Sequence, residues 1–148
     1  MLYFEDLVVG SVERFGGYAV TREEVLDFAS KYDPQPFHLS DEAAAQTHFG
    51  RLSASGWHTC AMTMRMTVEH WKQHAVAGLG SPEINEIRWL KPVYPGDTLS
   101  CETELLSKRP SLSRPEMGLT RTQTRVFNQH GELVMSHVAN GMIATRPA

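Results

Sequence analysis

From Leu52 to Met64 the chain carries no Asp, Glu, Lys or Arg, and Ser55 to Gln73 reads as one long helix that begins inside this run. Trp57, Cys60, Ala61, Met64, Val68 and Trp71 mark one face of it, while Met62 and Met66 lie on others. A helix that is apolar nearly all round has to be enclosed by the rest of the fold. The C-terminal half of the chain is strand-like. Ile84 to Leu90 and Thr98 to Leu106 are strand candidates joined by a turn over Pro92 to Asp97. Ser107 to Gly118, rich in Ser, Pro and Arg, reads as a loop. Thr120 to Phe127 alternates a Thr/Val face with Arg121, Gln123 and Arg125, and Glu132 to Ala144 forms a hairpin with it across Asn128 to Gly131. Helices first and an antiparallel sheet after them make an α+β chain.

Before that helix the signals are local. Residues 1–20 read as an irregular start with a strand or two, a turn at Gly10 and a breaker at Gly16-Gly17. Thr21 to Lys31 reads as a helix: Thr21 and Glu24 have capping-box spacing, and Val20 and Val25 occupy staple positions. Val25, Phe28, Ala29 and Tyr32 share one side of it. The helix has to stop by Asp33, because Pro34 comes next. Ser40 caps a second, short helix with Asp41 and Glu42 in its first turn and Gly50 as a stop.

The loop between these helices carries the chemistry. Asp33 and His38 are five residues apart, with Pro34 and Pro36 between them. Proline fixes φ, so the loop is stiff and can hold a carboxylate and an imidazole at a set separation. General acid–base work on a water molecule needs such a pair. A capping Asp and a surface His would explain the same residues. At the start of the long helix, Ser55 and Gly56 stand where backbone N–H groups are free and the dipole is positive, so Gly56 is a candidate to stabilise an oxyanion. Close passage of another chain segment would equally call for a glycine there.

Other features narrow the class. The 148 residues suit a single domain spanning 1–148. A net charge of −3 argues against nucleic acid as partner. No run approaches a membrane span, the first residues lack a signal-peptide pattern, and Cys60 and Cys101 are single and widely spaced, so a cytoplasmic protein is expected. His70 and His74 have metal-ligand spacing, but no Glu follows His70 and no third ligand suggests itself, so no metal is expected. His58 reads as a hydrogen-bonded core histidine, His48 as exposed, and His137 as either buried or exposed. Ser53 and Ser55 lack a nucleophile-elbow context.

Asp33-Pro34-Gln35-Pro36-Phe37-His38, with Phe49-Gly50 after it and then Gly56 opening an apolar helix, resembles the MaoC-like dehydratases, the (R)-specific enoyl-CoA hydratases and their relatives. The resemblance covers nearly the whole chain. Two positions depart from the family pattern: Gln35 stands where Asn is usual, and Ser55 where His is often found. The run Arg88 to Leu99 resembles a segment shared widely by hotdog proteins, thioesterases included. The resemblance implies a hotdog fold and reversible hydration of a 2-enoyl thioester to a (R)-3-hydroxyacyl product. Asp33 and His38 would hold the water, with His38 the preferred base, and a backbone N–H near Gly56 would meet the thioester oxygen. Gln35 and Ser55 are expected near substrate. Lys108, Arg109 and Arg114 form a basic cluster that would meet the phosphates of coenzyme A or of an acyl-carrier arm, if it is not simply solvated. The thioester is substrate, and no cofactor is expected. The rival readings are a hotdog acyl-CoA thioesterase and an acyl-CoA-binding module without turnover. A sheet with open edges further implies a homodimer on which the active site depends.

Overall fold

The computed structural model describes residues 1–148. Strand β1 (Val12–Ala19) is followed by helices α1 (Arg22–Tyr32), α2 (Asp41–Ala45) and α3 (Gly56–Gln73), then by β2 (Glu83–Trp89), β3 (Thr98–Pro110), β4 (Met117–Phe127) and β5 (Leu133–Ala144). Short 3-10 turns cover Phe4–Asp6 and Pro36–His38. The strands form one antiparallel sheet in the order β1-β3-β4-β5-β2. Helix α3 lies against β1 and β3. This is the expected hotdog arrangement of a sheet around a long helix. No helix is long and apolar enough to cross a membrane.

Local signals account for the helix ends. Thr21 Oγ1 accepts the Glu24 N–H, and Val20 and Val25 are both buried, as a stapled N-terminus requires. Asp33 caps the other end, where its N–H still reaches Ala29 O before Pro34 bars further helix. Tyr32 is solvent-exposed rather than part of the apolar face. Ser40 Oγ accepts the Ala43 N–H, as its capping position predicts. Gly50 stands beyond the end of α2, where it closes the following turn at φ +74°.

Three expectations are corrected. Gly16-Gly17 does not break β1 but forms a bulge in its pairing with β3. Ser107 to Gly118 is strand at both ends: β3 continues to Pro110, and β4 begins at Met117. A bulge between Leu105 and Ser107 lets polar residues continue the ladder, which a composition-based reading takes for a loop. On α3 the side turned to the sheet is Thr59, Met62, Thr63, Met66 and His70, whereas Trp57, Ala61 and Met64 are exposed. Cys60, Val68 and Trp71 are half-buried, so the helix expected to be enclosed nearly all round is left partly uncovered on this side.

The core joins Met62 and Met66 of α3 to Leu99, Cys101, Val126 and Met135 of the sheet, closed by Val25 of α1 and Leu52. Close approach of α3 to β1 explains Gly16. Its φ is +119°, and a Cβ would stand 2.7 Å from Met66 Sδ and 3.0 Å from Ser100 Cα. Gly16→Ala therefore combines backbone strain with overpacking. It is expected to lower stability by about 2–4 kcal/mol, read as a lower urea midpoint at unchanged slope.

Candidate active site

Asp33 and His38 converge because α1 ends at Asp33 and the chain then turns at once. Gln35 N–H donates to Asp33 O at 2.8 Å, and His38 N–H donates to Gln35 O at 2.9 Å. This winds Pro36–His38 into the 3-10 turn and brings the His38 ring back over Asp33. His38 is buried, and its Nδ1 lies 2.8 Å from Ser53 O. A carbonyl can only accept, so Nδ1 carries the proton and Nε2 holds the free lone pair. Nε2 is 3.5 Å from Asp33 Oδ2, longer than a good hydrogen bond. Phe37 and Phe49 flank the imidazole at centroid distances of 4.6 and 5.7 Å.

The Asp33 carboxylate is held from both sides. Ser55 Oγ donates to Oδ2 at 2.7 Å, and Gln35 Nε2 donates to Oδ1 at 2.7 Å. Burial pushes the carboxyl upward, but these two hydrogen bonds and the His38 charge outweigh it and hold Asp33 below the usual carboxylate range. Asp33 is therefore an anion at neutral pH, facing an imidazole with a fixed tautomer.

Ser55 is the N-cap residue of α3, yet its side chain does not cap the helix. Its hydroxyl serves Asp33 instead, which leaves the first-turn N–H groups without a side-chain partner. Gly56 at that end has a packing reason for its identity. Trp89 Nε1 donates to Gly56 O at 2.9 Å, and a Cβ on Gly56 would fall 2.7 Å from the indole. The close neighbour of Gly56 is thus an indole side chain rather than another backbone, and the helix end borders the cleft. That cleft, about 390 Å³, is lined by Asp33, His38, Gly56, Trp57, Trp89 and Leu90, with His48 and Lys91 also on its wall. The segment between α2 and α3 is anchored by Leu52 N–H to Asp41 Oδ1, Ala54 N–H to Val93 O and Tyr94 O–H to Phe49 O.

The sequence-based candidates divide by position. Asp33, His38, Gln35, Ser55 and Gly56 come together, with Gln35 and Ser55 turned to Asp33. Lys108, Arg109 and Arg114 do not line this cleft. Lys108 Nζ donates to the carbonyls of Phe4 and Leu7, and Arg109 borders a separate polar cleft with Arg121 and Asn140. Arg114 lies in the turn between β3 and β4. No three His, Cys, Asp or Glu side chains cluster as a metal site; His70 Nε2 is instead 2.6 Å from Glu13 Oε2. His58 is buried and stacked on Phe28, with Nδ1 lacking a partner and Nε2 3.6 Å from Glu24, so it is a core histidine without a good hydrogen bond. Burial outweighs Glu24 and pulls its pKa down. His137 is half-buried, and burial lowers its pKa too. His48 is exposed. Sequence reasoning missed the Ser53 carbonyl and Trp89. A backbone acceptor leaves no mark in residue identity, whereas Trp89 stood in a segment read for fold alone.

Comparison with known proteins finds relatives in both sequence and fold. Residues 8–126 match the family model described as "MaoC like domain". A MaoC-like dehydratase from Rhodospirillum rubrum superposes with a TM-score of 0.90 at 39% identity, each chain covered in full. The 3-hydroxybutyryl-CoA dehydratase of Methylorubrum extorquens is 30% identical over 122 residues, 81% of this chain and 74% of that one. An unliganded R-hydratase of Pseudomonas aeruginosa gives a TM-score of 0.73 at 26% identity, over 98% of this chain and 86% of the other. On the match over residues 8–126 and on its fold, the chain belongs to the MaoC-like dehydratase family.

Proposed function

We propose that the protein adds water reversibly across the 2,3-double bond of an enoyl thioester, giving a (R)-3-hydroxyacyl thioester. One observation carries this reading: a His38 base with a fixed tautomer beside an anionic Asp33, opening on a cleft at the start of α3. Water oxygen attacks C3 while His38 Nε2 takes one of its protons. The double-bond electrons move through C2 to the thioester oxygen. First-turn N–H groups of α3 meet that developing charge, where a single such donor contributes about 3 kcal/mol. The imidazolium, stabilised by Asp33, then returns its proton to C2, so one group serves as base and then as acid. Water's oxygen and one hydrogen end on C3 and its other hydrogen on C2. The thioester supplies the activation, so these steps need neither metal nor redox cofactor.

The carrier is coenzyme A or an acyl-carrier arm, as the name of the Methylorubrum relative suggests for coenzyme A. The protein acts as a homodimer. Trp57, Met64, Trp89 and Leu90 are about half exposed, and β2 is an edge strand that pairs only with β5. An uncovered apolar patch beside a free strand edge favours a second copy. Incubation with 2-enoyl-CoA esters of increasing chain length, with chiral analysis of the products, tests the reading. A (R)-3-hydroxyacyl-CoA is expected, whereas the (S) isomer would contradict the proposed product.

A further inference from the structure

Gln35 is exposed, yet it reaches back to Asp33 twice. Its backbone N–H donates to Asp33 O at 2.8 Å, and its side-chain Nε2 donates to Asp33 Oδ1 at 2.7 Å. Pro34 and Pro36 restrict the backbone on either side, and Gln35 is extended at φ −75° and ψ 141°, as a residue before proline prefers. The donor is thus delivered by a stiff loop rather than a mobile arm. The second carboxylate oxygen, Oδ2, takes Ser55 Oγ and faces His38 Nε2. An amide N–H is not a proton that chemistry at neutral pH can exchange into a substrate. Oδ1 is therefore engaged by a donor that has no proton to pass on, and Oδ2 is the oxygen that faces the imidazole.

We propose that Gln35 is a positioning residue: it clamps Oδ1 of Asp33, keeps the carboxylate turned to His38, and so confines proton transfer with substrate to His38 Nε2. This rests on the proposed hydratase activity. It also gives the departure from the family's usual Asn a definite role, directed at Asp33 rather than at substrate. The charged and titratable groups around Asp33 are few. His38 faces it from the 3-10 turn, Lys31 at the end of α1 pairs with Asp27, and α3 presents only the Ser55 hydroxyl. Across the cleft His48 is exposed and Lys91 is paired with Glu132. None of these replaces the Gln35 donor on Oδ1.

Gln35→Leu keeps most of the volume and removes the donor, while Gln35→Glu keeps the shape and sets a like charge there. Because the side chain is exposed, both variants should fold, which circular dichroism checks. The probe is Asp33 itself, tracked by carboxyl ¹³C NMR in the substrate-free protein, with the pH profile of kcat/KM on an enoyl-CoA measured in parallel. The expected result is that Asp33 titrates at higher pH in Gln35→Leu and higher still in Gln35→Glu. The acidic limb of kcat/KM moves the same way, and kcat falls on the order of three- to tenfold in Gln35→Leu with KM little changed. An unchanged Asp33 titration overturns the clamp, whatever the reaction. A raised KM with intact kcat and unchanged pH profile makes Gln35 a substrate-binding residue and overturns it too. A displaced titration in a protein that hydrates no enoyl thioester overturns the hydratase reading and the catalytic half of the proposal, and leaves the clamp on Asp33 standing.

Discussion

Replacing His38 with alanine is expected to lower hydration turnover by about 10²–10⁴-fold, the usual contribution of a general acid–base group. The effect should be at the upper end, because in the proposed mechanism His38 serves twice, taking the proton from water and returning it to C2. Its ring is fixed by the bond to Ser53 O and flanked by Phe37 and Phe49, so the lone pair on Nε2 has one direction to face. Asp33→Asn should lose less than this. The amide can still hydrogen-bond, but it no longer stabilises the imidazolium. Steady-state kinetics on purified variants, with urea unfolding as the control for fold, makes the comparison. Near-wild-type turnover in His38→Ala would remove His38 from the mechanism.

The second large effect is expected at the uncovered face of α3. Met64→Glu sets a charge on the exposed side of α3, which also carries Trp57. In the monomer Met64 is about half exposed, so the charge costs little there, whereas between two copies it would be buried without a partner. Sedimentation should find the variant monomeric at concentrations where the wild type is a dimer. Turnover should fall with dimerisation by more than about tenfold, because Trp57, Trp89 and Leu90 also line the candidate cleft and the partner would complete its wall. A dilution series of the wild type should trace the same loss. A fully active monomeric Met64→Glu would separate the site from assembly.

These predictions depend on features that were unequally legible in the sequence. The pair Asp33 and His38 could be read because a stiff Pro-bounded loop leaves few ways for two polar side chains to sit. Helix α1 could be read because Thr21 and Pro34 punctuate it by hydrogen bonding and sterics that act locally. Which face of α3 meets the sheet could not. A helix apolar all round has no periodic contrast, and its two apolar faces have different partners, one in the same chain and one proposed in a second copy. The extent of β3 was also hidden. A bulge shifts the alternation by one residue, so Ser107 to Arg109 read as loop although they pair with β4. Ser55 reads only as the start of the long helix and a residue near substrate, and the fold reveals that its hydroxyl is drawn to Asp33.

Whether this cleft adds water to an enoyl thioester is decided by one reaction monitored in two ways. A 2-enoyl-CoA is mixed with the protein while the conjugated enoyl absorbance and the release of free thiol are recorded together. The proposed mechanism predicts that the absorbance falls to an equilibrium value with no thiol released, and that His38→Ala slows this fall by about 10²–10⁴-fold. Thiol release at the rate of substrate loss would make the protein a thioesterase. Tight binding of the thioester with neither signal changing, across a range of acyl chains, would make it a binding module, and either result would contradict hydration.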